Sequence, residues 1–233
     1  MYKQWQTPKE GRLIAIEGVD GTGKSTLINY LKDKVYPKED FVFIREPGDT
    51  PIGRFAREWV HSVDATKDAN MATQALYLFS ASRLEMIENI IKPALSEGKT
   101  VITDRFALST AVYQDLNMDW ELSHIVKAVL MELSKTIEVT QTIYLHAPAN
   151  ILIERLNARG EAGGIKDSTD SKDIEFFRSV LLKYAIALNT FSLVPPKLLG
   201  DVCRVDASLP PKEVACKVLD LIGCPQVCKD DDQ

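Results

Sequence analysis

The run Gly18-Val19-Asp20-Gly21-Thr22-Gly23-Lys24-Ser25-Thr26 constrains this chain more than any other feature. The apolar stretch Leu13-Ile14-Ala15-Ile16 comes just before it and reads as a buried strand. A helix-forming stretch, Leu27 to Lys34, follows. Strand, glycine-rich turn and helix together are the context in which the spacing G-x-x-x-x-G-K-S cradles phosphate. Gly18, Gly21 and Gly23 let the backbone turn sharply and aim its N–H groups inward. Those donors, with the positive end of the following helix, receive a polyphosphate. In such a site Lys24 reaches the β and γ phosphates and the Ser25 hydroxyl ligates Mg²⁺. A plain glycine turn with a lysine at a helix start is the alternative, and the two flanking elements argue against it.

Beyond the loop, strand-like and helix-like stretches alternate. Phe41 to Ile44, Thr100 to Asp104, Gln141 to Leu145 and Cys203 to Val205 read as four further strands. Helical patterns cover about 52–61, 68–91, 119–135, 148–159, 173–193 and 212–222. Pro93 should disturb the longest of them, and Gly160 should cap the fourth. The alternation predicts an α/β fold: a five-stranded parallel sheet with helices on both faces, and ligands at the carboxyl ends of the strands. The stretch 160–172 is polar, charged and glycine-containing, and reads as a short mobile lid. The organisation expected is an N-terminal extension over 1–11, one nucleotide-binding domain over 12–223 and a polar tail over 224–233.

Composition narrows the function. The net charge of −5 offers no general attraction to nucleic acid, so an anion must be drawn by local arginines and backbone donors. No apolar run approaches the length of a membrane span, and the first eleven residues lack an apolar signal core. A cytoplasmic location with reduced thiols at Cys203, Cys216, Cys224 and Cys228 is the expectation. Cys224 and Cys228 have no histidine close enough in sequence to complete a zinc site.

Candidate ligand residues gather at predicted strand ends. Arg45 opens the turn-rich run Arg45-Glu46-Pro47-Gly48-Asp49-Thr50-Pro51, and Arg54 and Arg57 share a face of the next helix. Together they could clamp a second phosphate, although a solvated basic face would show the same spacing. Phe79 and Arg83 lie four apart on the long helix. A ring beside a guanidinium suits a nucleobase, but a core phenylalanine beside a surface arginine would look the same. Asp104, ending an apolar strand, can orient Mg²⁺, and Arg105 beside it can hold a phosphate. Ser109, Tyr113 and Gln114 follow within reach of a sugar and base.

These motifs, taken in order, resemble the thymidylate kinase family, P-loop nucleoside monophosphate kinases acting on dTMP. The resemblance runs from roughly Arg12 to Ile222. It is carried by the phosphate loop, by Arg45-Glu46-Pro47-Gly48 through Arg57, by Phe79-Ser80-Ala81-Ser82-Arg83, and by Asp104-Arg105-Phe106 with Ser109 and Tyr113-Gln114. It implies the P-loop NTPase fold, transfer of the γ-phosphoryl of ATP to dTMP with Mg²⁺ at Ser25 and Asp104, and a homodimer. By the same resemblance Gly18 and Asp20 through Thr26 bind the donor, and Asp20 also lies near the acceptor sugar and phosphate. Arg45, Arg57 and Arg105 ligate the acceptor phosphate, with Pro47 in the same pocket. Phe79 stacks on thymine, Arg83 bonds its carbonyl, and Ser109 and Gln114 make further base contacts. Tyr113 crowds the sugar 2′ position. Arg159 lies against the donor adenine, above Asp206 and Ala207.

Four departures from the family pattern stand out. Asp49 occupies the place of a frequent second glycine, Arg54 that of a common acidic residue, and His146 that of an aspartate. The family's catalytic arginine is absent both from the loop, where Gly21 stands, and from the lid, whose cations are Lys166 and Lys172. Lys166, or Arg155 or Arg159 swung inward, is the expected substitute. Two other functions fit part of the pattern: a kinase for dUMP or a modified dUMP, and a nucleotide-dependent switch.

Overall fold

Five apolar runs become five parallel strands: β1 (Arg12–Gly18), β2 (Phe41–Arg45), β3 (Thr100–Asp104), β4 (Gln141–His146) and β5 (Asp201–Asp206). The structure, a computed structural model, describes residues 10–35, 37–63, 69–114, 120–161, 173–190 and 193–224. The strands lie in the order β2-β3-β1-β4-β5, every pair parallel, as the alternation predicts. Leu13, Ile14 and Ile16 on β1 and Val101 and Ile102 on β3 are wholly buried. Central parallel strands are covered on both faces, which is why they read as unbroken apolar runs.

The helices are α1 (Lys24–Lys34), α2 (Pro51–Ser62), α3 (Ala69–Met86), α4 (Lys92–Ser96), α5 (Ala107–Tyr113), α6 (Trp120–Leu133), α7 (Ala149–Glu161), α8 (Ile174–Thr190) and α9 (Pro211–Ile222). Right-handed crossovers send α1 to one face as the chain moves from β1 out to β2, and send the returning connections to the other. The packing agrees: α9 lies against α1, while α3 meets α6 and α8 meets both α5 and α7.

Local chemistry explains most helix boundaries. Thr50 caps α2, its hydroxyl accepting from Gly53 N–H at 3.1 Å, with Pro51 in the first turn. The expected single helix to Ile91 is instead α3, a π turn over Ile87–Ile91, and α4. Lys92 N–H donates to Ile87 O, five residues back. The wider turn makes room for the Pro93 ring, so the proline disturbs the helix as expected, by a local π turn that leaves the chain helical.

Three expectations need correction. Gly160 continues α7 instead of capping it, so the stretch expected to be a lid begins after Glu161. Residues 162–172, with Lys166 and Lys172, lie outside the described residues. Cys224 belongs to the buried core, its N–H bonded to Leu219 O at 2.6 Å, and so is not part of a polar tail. Cys203 and Cys224 are free thiols, but Cys216 is disulfide-bonded, against the expectation that all four cysteines are reduced.

Strand register brings the chemistry together. Asp104 pairs with Ile16 on one side and Arg45 on the other. The ends of β1, β2 and β3 therefore emerge side by side. The connections after β1 and β3 leave toward opposite faces, and a crevice of that kind is where such sheets bind ligands.

Candidate active site

The loop after β1 has the backbone that its glycines foretell. Gly18, Gly21 and Gly23 have φ of 151°, 87° and 86°. A Cβ on Gly21 would lie 2.9 Å from Leu152 O, and one on Gly18 2.5 Å from Leu145 O. Neither position accepts a side chain without strain. Thr22 tightens the turn, its hydroxyl donating to Val19 O at 2.7 Å. The Lys24 ammonium is buried and donates to Gly18 O at 2.9 Å and Val19 O at 3.1 Å. Burial, with Arg105 close by, pushes its pKa down to about 8 against the pull of Asp20, Asp104 and Glu17.

Across the crevice, Arg105 directly follows β3 with φ 71°, a left-handed conformation that side-chain-bearing residues rarely adopt. Its N–H donates to Ile16 O at 2.9 Å, and its carbonyl accepts from Thr103 Oγ1 at 2.8 Å. Its Nη2 meets Asp20 Oδ1 at 2.5 Å, and its Nη1 donates to Gly18 O and to Ser109 Oγ, both at 3.1 Å. The guanidinium also covers the Tyr113 ring at 5.2 Å. Burial opposes the charge of both members of the ion pair. Asp20 nonetheless holds Arg105 above its ordinary pKa, and Arg105 with Lys24 holds Asp20 below its own.

Arg83 is buried and heavily engaged. Its Nε donates to Glu46 Oε2 at 2.6 Å, Nη1 to Thr110 Oγ1 at 2.9 Å and Nη2 to Phe106 O at 3.2 Å. Glu46 Oε1 is buried with no partner, and burial pushes this carboxyl up to about 7 although Arg83 pulls the other way. Arg57 Nη1 donates to Pro47 O at 2.7 Å, while burial and the nearby Arg45 hold the Arg57 pKa below its usual value. The Asp49 carboxylate accepts from Arg45 N–H at 2.7 Å. That side chain closes the loop after β2.

One cavity of about 950 Å³ unites the two sides. Its walls include Asp20, Gly21, Thr22, Gly23, Lys24, Ser25 and Thr26 from the loop, and Arg45, Arg57, Asp104 and Arg105 opposite. Arg155, Arg159 and Ala207 line a third side, where Arg155 Nη1 donates to Ala207 O at 2.7 Å. Asp104 Oδ1 is buried without a partner. Gly18, Pro47, Phe79, Arg83, Ser109, Tyr113, Gln114 and Asp206 are not part of this lining. Of these, Phe79 is half-buried, and Arg83, Ser109 and Gln114 are buried behind the acceptor side. The Asp206 carboxylate accepts from the N–H and hydroxyl of Ser208, which holds it below its usual pKa.

Sequence reasoning missed Glu17, Tyr184 and Thr110. Glu17 is buried on β1 and accepts from Phe106 N, Ser109 N, Ser109 Oγ and Tyr184 OH. The one available signal was a charge at the end of an apolar strand. Nothing local marks Tyr184 or Thr110.

A parallel sheet in this order, with a glycine-rich loop after the first strand and arginines lining the same cavity, is the fold of a P-loop nucleotide-binding protein. The thymidylate kinase family profile matches residues 16–217. The thymidylate kinase of Legionella pneumophila (strain Corby) is 31% identical over 217 residues, covering 91% of this chain and 94% of that one. Those of Buchnera aphidicola and Fervidobacterium nodosum are each 34% identical, covering 78% and 72% of this chain and 84% and 80% of their own. The chain belongs to the thymidylate kinase family.

Proposed function

We propose that this protein transfers the γ-phosphoryl of ATP to dTMP, giving ADP and dTDP. The observation that carries this reading is that the phosphate loop and Arg45, Arg57 and Arg105 line one cavity. Phosphoryl transfer needs mainly alignment and charge stabilisation. Loop amides and Lys24 hold the donor phosphates, and Lys24 trades its carbonyl contacts for them. Arg45, Arg57 and Arg105 hold the acceptor phosphate in line, with Asp20 fixing the Arg105 guanidinium. Phe79, Arg83, Ser109, Tyr113 and Gln114 belong to the base and sugar pocket behind it. Arg155 donates to Ala207 O on the donor side, and Arg155, Arg159 and Lys166 stand as the cations for the transferring group.

Mg²⁺ fits this site. Asp104 has a buried oxygen with no partner, and the Ser25 hydroxyl lines the same cavity. These two residues would hold it, and it would supply charge neutralisation to the phosphate oxygens. Among the described residues no group of three His, Cys, Asp or Glu is placed to hold a metal. Exposed Phe55 on α2 and Tyr77 and Leu84 on α3 support a homodimer through these helices. Among the described residues no helix is long and apolar enough to cross a membrane. A cytoplasmic location accords with substrates that are charged nucleotides.

The test is ADP formation with dTMP, dUMP, dCMP, dGMP and dAMP as acceptors. The reading expects dTMP to give the highest kcat/KM. Preference for dUMP would move the assignment to another pyrimidine nucleotide, and ADP formation indifferent to every acceptor would overturn it.

A further inference from the structure

Glu17 sits in the middle of the sheet and has no part in the mechanism above, yet the acceptor side is built around it. It is wholly buried, in a strand whose neighbouring positions Leu13 to Ile16 are apolar. A charge there is tolerable only if its oxygens are saturated with donors. Oε1 accepts from Phe106 N at 2.8 Å and Ser109 N at 3.1 Å, and Oε2 accepts from Ser109 Oγ at 2.6 Å and Tyr184 OH at 3.2 Å. Two of these donors are the N–H of the residue after Arg105 and a hydroxyl that touches the Arg105 guanidinium.

The hydrogen bonds have a direction. Arg105 Nη1 donates to Ser109 Oγ, so the Ser109 hydroxyl proton points onward to Glu17. Guanidinium, hydroxyl and carboxylate form one chain, each link strengthened by the charges at its ends. The backbone is held at the same point. The left-handed Arg105 is pinned by Ile16 O before it and by Glu17 through Phe106 N after it.

We infer that Glu17 is a positioning residue that aims Arg105 at the acceptor phosphate, through Ser109 and through the backbone of Phe106. This rests on the reading of Arg105 as an acceptor ligand. The ion pair with Asp20 fixes one edge of the guanidinium, and the Ser109–Glu17 chain fixes the other. With both in place the side chain is held before the phosphate arrives, which reduces the ordering cost of binding.

The test is a double-mutant cycle between Glu17→Gln and Arg105→Ala, read by calorimetric binding of dTMP and, in parallel, of ATP. Glu17→Gln keeps the shape and one acceptor oxygen but removes the charge. It is expected to weaken dTMP about tenfold in the parent protein, the size of one charge-assisted hydrogen bond made neutral. It should change dTMP binding less than about twofold once Arg105 is gone, and leave ATP binding within about twofold. An equal loss in both backgrounds, or no loss in the parent, overturns the inference. Should Glu17→Gln fail to fold, Ser109→Ala cuts the same chain and enters the same cycle. NMR of the arginine side chains in the free protein separates this inference from the substrate assignment. If the parent binds no dTMP, the assignment fails, while a displaced Arg105 signal in Glu17→Gln still supports the positioning role and an unmoved one refutes it.

Discussion

Glu46→Gln should change how stability depends on pH. Glu46 is 5% exposed; one oxygen is bonded to Arg83 and the other to nothing. Burial raises its pKa from an ordinary 4.5 to about 7. Between those values the folded protein keeps a proton that the unfolded chain has released. Stability from this group is therefore fully present below about 4.5 and is lost as pH rises through about 7. At about 1.4 kcal/mol for each pH unit of difference, the loss across the window is roughly 3 kcal/mol. Glutamine carries no such proton, so the variant lacks this slope while every other titrating group is shared. Urea unfolding of both proteins at several pH values from 4.5 to 8 isolates the term, since the difference between the two curves belongs to Glu46 alone. The difference should favour the parent at the acid end and shrink by about 3 kcal/mol toward the alkaline end. Parallel curves, with a constant offset, would refute the reasoning. They would mean that Arg83 holds Glu46 ionised in spite of its burial.

Two further perturbations test the donor side. Lys24 titrates at about 8, so the KM for ATP should climb above that pH by up to tenfold per pH unit, while Lys24→Arg stays flat over the same range. A flat parent profile would show that Lys24 keeps its charge. Gly21→Ala places a Cβ at φ 87° and 2.9 Å from Leu152 O, so it should cost about 1–2 kcal/mol in urea unfolding and raise the KM for ATP more than that for dTMP. Unchanged stability would contradict the strained geometry of the loop.

Much of the scaffold was legible because its signals are local. The strand expected over Thr100 to Asp104 is β3 to the residue, since a fully buried parallel strand is an unbroken apolar run. The helical pattern expected from about residue 52 is α2, which starts one residue earlier at Pro51 and is capped by Thr50. Pro93 was legible as a disturbance of the helix but not in its form, because the π turn that accommodates it depends on the buried Ile87 and Ile91 that keep the chain helical. The sharp turn of the phosphate loop was legible because it is written in glycines, and in the structure all three have positive φ. The acceptor side was legible only in outline. Arg83 marks a helix face in sequence, but its buried partner Glu46 is 37 residues away. Glu17 gathers donors from positions 89, 92 and 167 residues distant, and no window along the chain contains them.

The central claim is that two nucleotides meet end to end in one cavity, one gripped by backbone amides and the other by arginines. A compound in which adenosine and thymidine are joined 5′ to 5′ through an oligophosphate tests it directly, by inhibition kinetics against each substrate in turn. The account predicts competition with both ATP and dTMP, and binding at least about tenfold tighter than either alone. Competition with only one substrate, or affinity no better than that of ATP, would contradict it.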